Sequence, residues 1–230
     1  MYWQVPQIWK NETCIIIGGG PSILKQFKIP NELRDLVFNG KMKPKCYSPY
    51  FESIKDFQII GVNKAYEMGD WMDILFFGDD SFFVNFRKEI LSFPGLVVTC
   101  ADKYINSYFL KQLRRDKKHR FGITNKTDSI SWNLNSGAAA INLAIHLGCK
   151  KIILLGFDMK LDEEENQHWH KYYTSVLKTV SGTFDTQSKG FPLIASQAAK
   201  KGVKIVNANP DSAIECFEKM NIKNAKIKFY

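Results

Sequence analysis

The sequence predicts an α/β fold, a Rossmann-like and mainly parallel sheet with helices on both faces, formed as one domain over residues 1–230. Three observations predict it. Short apolar, β-branched runs alternate along the chain with helical patterns, the signature of βαβ units. The first strong run, Cys14-Ile15-Ile16-Ile17, opens straight into Gly18-Gly19-Gly20-Pro21-Ser22. A later run, Ile152-Ile153-Leu154-Leu155, is apolar on both faces, as a strand covered by helices on each side must be.

The elements follow in order. Strands are expected at 14–17, 57–62, 74–77, 96–99, 151–155 and 203–206, with 14–17 and 151–155 central. Helices are expected at 82–91, 136–147 and 185–201. The second is rich in alanine (Ala138, Ala139, Ala140, Ala144), so it can pack closely on a sheet, and Gly148 ends it. The third is ended by Gly202. Residues 39–53 carry no clear period and read as a loop or small insertion. The polar, aromatic stretch 162–190 reads as a lid over the carboxyl end of the sheet, with lid residues over roughly 159–190.

Composition narrows the class. A chain of 230 residues with 45% apolar residues can bury one good-sized core. No apolar run approaches the roughly 20 residues of a membrane-spanning helix. The first residues lack the basic and apolar stretches of a signal peptide, so a cytoplasmic setting is expected. Five scattered cysteines with no Cys-x-x-Cys pair read as thiols packed like small hydrophobes. The net charge of +9 concentrates partly at 111–120 and 219–228. These runs read as a solvated helix face and a basic tail. With no helix-turn-helix, zinc finger or RNP-type strand beside them, nucleic acid is not the favoured partner.

Four motifs could carry chemistry. In Gly18-Gly19-Gly20-Pro21-Ser22, glycines would let the backbone approach a phosphate, while the following helix offers free N–H groups and a positive dipole end. It is neither a full Gly-x-Gly-x-x-Gly nor a Walker loop. A bulky residue at Gly19 or Gly20 is expected to abolish nucleotide binding and leave the fold intact. Asn63 follows a strand, at the sheet edge where open α/β folds bind ligands, and its amide suits a base or ribose hydroxyl. Asn135-Ser136-Gly137 precedes the alanine-rich helix and is either its cap or a second wall of a nucleotide site. The richest stretch is Gly156-Phe157-Asp158-Met159-Lys160, followed by His168-Trp169-His170-Lys171-Tyr172-Tyr173. His168 or His170 could serve as a base near neutral pH, with Lys160, Lys171 and Tyr172 as phosphate partners. His119 and His146 read as bystanders.

At these residues the chain resembles the bacterial sialyltransferases that build lipooligosaccharide from CMP-sialic acid, and the wider MptE-like Rossmann proteins, in particular their phage-type members. The matches are Gly18–Ser22, Asn63, the stretch from Asn135-Ser136-Gly137 through Leu147-Gly148 to Gly156-Phe157-Asp158, and Val206-Asn207-Ala208-Asn209-Pro210-Asp211-Ser212-Ala213. The resemblance implies a nucleotide held between the loops at 18–22 and 135–137, and a lid histidine that deprotonates an acceptor hydroxyl. The chain departs from the sialyltransferases at Met159-Lys160, where they carry two tyrosines on the donor phosphate, at Asn133, where they carry arginine, and at Gly78-Asp79-Asp80, where they carry asparagine.

The expected function is therefore a glycosyltransferase-like enzyme. It would bind a pyrimidine nucleotide-sugar of CMP type and transfer the sugar to a glycan or small hydroxyl acceptor, with His168 or His170 as base. The expected nucleotide contacts are Gly18, Gly19, Gly20, Pro21, Ser22, Asn63, Asp79, Asn135, Ser136, Gly137, Asp158, Lys160 and Tyr172, with no metal site and no cofactor beyond the donor. Two alternatives share the fold. An MptE-like pterin diphosphokinase would use ATP and Mg²⁺ held by Asp79, Asp80 and Asp158. A non-catalytic nucleotide-binding phage protein would keep the site without turnover.

Overall fold

The structure is a computed structural model, and it describes residues 2–103, 108–171 and 183–224. Its strands are β1 (Thr13–Ile17), β2 (Gln58–Val62), β3 (Ile74–Phe77), β4 (Leu96–Thr99), β5 (Leu110–Gln112), β6 (Arg114–Arg115), β7 (Ser129–Ile130), β8 (Lys151–Leu155), β9 (Lys204–Asn207) and β10 (Glu218–Lys219). Its helices are α1 (Ser22–Gln26), α2 (Asn31–Phe38), α3 (Asp80–Leu91), α4 (Ser136–His146), α5 (Thr183–Ser188) and α6 (Phe191–Lys200). One eight-stranded sheet has the order β10-β9-β8-β1-β2-β3-β4-β5 with every neighbour parallel, and β6 pairs with β7 beside it.

The chain walks outward from β1 to β5, then crosses to β8 on the other side of β1 and walks outward again to β10. The direction of winding reverses between β1 and β8. At such a switch point the loops after adjacent strands diverge to opposite faces and leave a crevice at the carboxyl edge. The two strands expected to be central are the two that flank it.

Side-chain alternation explains their apolar character. Cys14, Ile16, Ile152 and Leu154 pack into the core shared with α4 and α6. Ile15, Ile17, Ile153 and Leu155 enter a second core under α1, where Tyr47 and Phe51 lie. Successive residues of a strand face opposite sides, so a strand with a core on both sides needs an unbroken apolar run. Small residues let α4 lie close on the sheet, and it is buried along nearly its whole length. Gly148, at φ 98°, ends it with a bond to the Ile145 carbonyl, in the left-handed conformation that glycine adopts without cost.

Three expectations need correction. The helix at 185–201 is two helices, because Gly190 packs so tightly on the Asn133 side chain that a Cβ there would overlap it, and Pro192 then starts α6 afresh. Residues 39–53 are not a plain loop: Pro44–Ile54 is a 3-10 helix that sends Tyr47, Phe51 and Ile54 into the second core. The basic run 111–120 is not a helix face. It begins in the edge strand β5 and runs through β6, with Leu113 fully buried. All five cysteines are free thiols, and Cys14, Cys100 and Cys149 are buried, as expected. Among the described residues no helix is long and apolar enough to cross a membrane.

Candidate functional site

A cleft of about 580 Å³ opens at the carboxyl edge of the sheet. Gly18, Gly19 and Gly20 enter it from β1, Asn63 from β2, Asp79 from β3, and Asn135, Ser136 and Gly137 from the start of α4. Asp158 and Met159 enter from β8, His168 from the stretch beyond it, and α5 covers one side through Thr183, Phe184 and Gln187. The sequence motifs are thus brought to one place by topology alone.

The glycine loop is built differently from the expectation. Gly18 donates to the Leu155 carbonyl, Gly20 to that of Gly156, and Ser22 to the Asp158 carboxylate, so three of its four N–H groups serve the protein. Gly18 and Gly20 are buried and Gly19 is half-buried. A Cβ at Gly18 would lie 2.7 Å from the Gly156 carbonyl oxygen, and one at Gly20 would lie 2.5 Å from the Asp158 carboxyl carbon. These two glycines are required by the close approach of the loops after β1 and β8. Gly20 therefore serves the packing of the two loops, and a bulky residue there is expected to disturb the fold locally as well as any ligand. Gly19 instead makes room for His168, whose Nδ1 would lie 2.6 Å from a Cβ at that position.

Asp158 is equally committed. Its carboxylate accepts the Ser22 N–H at 2.9 Å, the Ser22 hydroxyl, and the Asn209 side-chain amide at 2.8 Å. Carboxylates are favoured at a helix N-terminus because they meet free N–H groups and the positive dipole end. The anion place at α1 is thus filled by the protein itself, and Ser22 serves that clamp. Pro21 is buried at the start of the same turn.

The start of α4 is electrostatically the reverse. Asn135, a neutral residue, caps it by accepting from Ala138 N–H at 3.0 Å, and its own amide reaches the Gln187 carbonyl of α5 at 3.4 Å. The N–H groups of Ser136 and Gly137 belong to the first turn, which has no intrahelical acceptors. Gly137 is glycine because the Phe157 ring presses on it, 2.7 Å from where a Cβ would be. Asn133 and Leu134, just before the cap, both take positive φ of 56°. Asn133 is fully buried, and its side chain bridges Gly122 N–H and the Gly122 and Ser131 carbonyls. It pins the turn and does not reach the cleft. Asn63 (φ 51°) and Met159 (φ 50°) also hold left-handed backbone at the cleft, a concentration of strain of the kind that marks functional sites. The Asn63 Oδ1 is buried with no protein hydrogen bond.

The histidines separate into two roles. His168 lines the cleft, and His170 is buried behind it with the rings stacked at 5.3 Å and 8°. The Trp169 ring between them turns the other way, edge-on to Tyr47 in the second core, and the Trp169 backbone N–H donates to the Gly19 carbonyl at 3.0 Å. It therefore anchors the stretch to the glycine loop; Tyr172 and Tyr173 lie outside the described residues. Burial lowers the His168 pKa to about 4, so the ring is neutral at pH 7. His170 is held well below the ordinary histidine value by burial, then by His168, then by the Lys64 ammonium.

Several expected contacts are placed elsewhere. Lys160 and Lys171 are exposed and outside the cleft lining. Asp80 faces the backbone of Lys103, whose N–H it accepts at 3.1 Å. With Asp158 clamped as well, the three aspartates do not assemble, and among the described residues no group of three His, Cys, Asp or Glu is placed to hold a metal ion. His146 is a bystander to the cleft, buried between Asn142 (3.2 Å) and the Ser129 carbonyl (3.1 Å). Sequence reasoning missed the aromatic half of the cleft, Phe82, Phe86, Trp132, Phe157 and Phe184. These residues are scattered over the chain, and no spacing signals their meeting.

No family model matches the sequence, and no curated protein matches it. Solved structures do resemble it. The MAf glycosyltransferase from Magnetospirillum magneticum AMB-1 aligns over 97% of this chain and 35% of its own, at 11% identity and a TM-score of 0.56. A variant of the sialyltransferase CST-II in complex with CMP aligns over 91% of this chain and 86% of its own, at 15% identity and a TM-score of 0.50. At these identities the likeness is one of fold: the chain shares the α/β architecture of glycosyltransferases.

Proposed function

We propose that the chain is a glycosyltransferase-like enzyme that binds a pyrimidine nucleotide-sugar of CMP type in the cleft and transfers the sugar to an acceptor hydroxyl. The observation that carries it is the placement of a neutral His168 over Gly19, in the switch-point cleft that the start of α4 also lines. The fold shared with a CMP-bound sialyltransferase supports the choice of nucleotide.

In this reading the phosphate lies on the Ser136 and Gly137 N–H groups at the positive end of α4, and the Asn63 Oδ1 accepts from a ribose hydroxyl or base amine. His168 takes the acceptor proton. The acceptor oxygen forms the new bond to the anomeric carbon, and the bond from that carbon to the phosphate oxygen breaks, with the electron pair leaving on the phosphate. A pKa of about 4 makes the free imidazole a weak base; the phosphodiester anion of a bound donor raises that value in the complex.

The test is turnover of CMP-activated sugar, followed as CMP release, in the parent protein and in His168→Ala. The expected loss is roughly 10²–10⁴-fold, the usual worth of a positioned base, with CMP affinity nearly unchanged. For the free enzyme the acid limb of kcat/KM lies near pH 4, because the neutral ring is the active form and is lost as pH falls through its pKa. An His168→Ala protein that turns over at the parent rate, or a parent that cleaves no nucleotide-sugar, overturns the proposal. The diphosphokinase alternative finds no support in the separation of Asp79, Asp80 and Asp158.

A further inference from the structure

Arg115 and Trp132 form a unit that neither the motifs nor the proposed chemistry uses. The Arg115 guanidinium lies 4.1 Å from the Trp132 ring centroid. It is fixed there by three bonds, from Nε to the Cys100 carbonyl (2.7 Å), from one terminal nitrogen to the Gly78 carbonyl (2.5 Å), and from the other to Asp102 (2.8 Å). The benzene edge of the indole fits over Gly78 so closely that a Cβ there would overlap it, and the same absent Cβ would stand 3.1 Å from Ser136 Oγ. The ring is thus clamped on one face and one edge, yet it is only partly buried and lines the cleft.

We infer that Trp132 is the platform on which the nucleobase stacks, with Arg115 as its positioning residue. The inference rests on the nucleotide reading of the cleft and adds to it the place of the base. A guanidinium already occupies the attraction that one indole face holds for cations. What the ring offers the cleft is a flat, rigid, polarisable surface, which suits the π-face of a heteroaromatic base and costs a ligand no ordering of the protein. The position also fits. Trp132 stands over the end of β3, two strands from β1, so the base would lie about 10 Å across the sheet from the glycine loop. Its benzene edge is beside Ser136, so a base on the indole stands one ribose away from a phosphate on the α4 N-terminus.

The experiment is calorimetric titration of CMP and of ribose 5-phosphate, which has the phosphate and sugar but no base. The proteins are the parent, Trp132→Ala, Trp132→Phe and Arg115→Met. Trp132→Ala is expected to weaken CMP by about 5- to 150-fold, the range for loss of one base–aromatic stack, and to change ribose 5-phosphate less than twofold. Trp132→Phe should restore most of the difference, and Arg115→Met should lose part of it. Stacking on an indole also quenches its emission, so the CMP-dependent quench should vanish in Trp132→Phe although CMP still binds. Equal weakening of both ligands, no weakening of either, or a quench that persists in Trp132→Phe overturns the platform alone. A parent protein that binds neither ligand overturns the nucleotide reading and the platform with it.

Discussion

Two helix N-termini face the same cleft, and they are electrostatic opposites. At α1 the chain supplies its own anion, the Asp158 carboxylate, which takes the Ser22 N–H and hydroxyl and joins them to Asn209. At α4 the cap is the neutral amide of Asn135, and the first-turn N–H groups keep their positive end for something else. The loop that looks most like a phosphate cradle in the sequence is the one already filled. The plainer Asn-Ser-Gly turn is the better place for a ligand's phosphate. A glycine run shows that backbone must come close to something, and here that something is mostly the loop after β8.

The largest expected effect is at Gly20. Gly20→Val is expected to cost about 3 kcal/mol of folding stability, because the added side chain meets the Gly156 backbone and Asp158, neither of which can step aside. Gly19→Ala presses on the His168 ring and on no backbone atom, and should lower the denaturation midpoint less than Gly20→Val while lowering turnover. Equal midpoints for the two variants in urea would show that the loops after β1 and β8 are not locked together.

Next in size is the clamp. Asp158→Asn keeps the shape but sets an amide against the Ser22 N–H, and should lower stability by about 2 kcal/mol, the worth of hydrogen bonds to a charged group. CMP affinity should not fall with it, because removing a negative charge from the cleft favours an anionic ligand. A large loss of CMP affinity in a stable Asp158→Asn protein would return the phosphate to α1. Asn135→Ala should cost about 1 kcal/mol, the usual worth of an N-cap, and its readout is the urea midpoint together with weaker CMP binding.

A further effect is a pH dependence. His168 and His170 are neutral in the folded protein, at pKa values below the ordinary 6.5. Between the folded and unfolded values the unfolded chain binds more protons, so stability falls as pH drops from about 6.5 toward 4. His170→Phe removes one of these groups and should flatten that part of the Tm–pH curve.

The sheet was legible in the sequence because its evidence is local. A strand with a core on each side shows as Cys14-Ile15-Ile16-Ile17 or Ile152-Ile153-Leu154-Leu155 whatever the rest of the chain does. The edge strands β5 and β10 were not legible: they are three and two residues long, too short to show an alternation, and defined by pairing to β4 and β9. The site was legible as a set of loops, since every motif that follows a parallel strand must end at the same edge. Its partners were not. That Asp158 answers Ser22, that Gly19 makes room for His168, and that Arg115 clamps Trp132 are contacts between residues 136, 149 and 17 positions apart, and no periodicity encodes them.

The most direct test of the contrast between the two helix ends is a crystal structure of the protein with CMP. The phosphate is expected within hydrogen-bond distance of the Ser136 and Gly137 N–H groups, with the bonds from Ser22 to Asp158 intact. A phosphate seated on the Ser22 N–H, with the Asp158 carboxylate displaced, would contradict it.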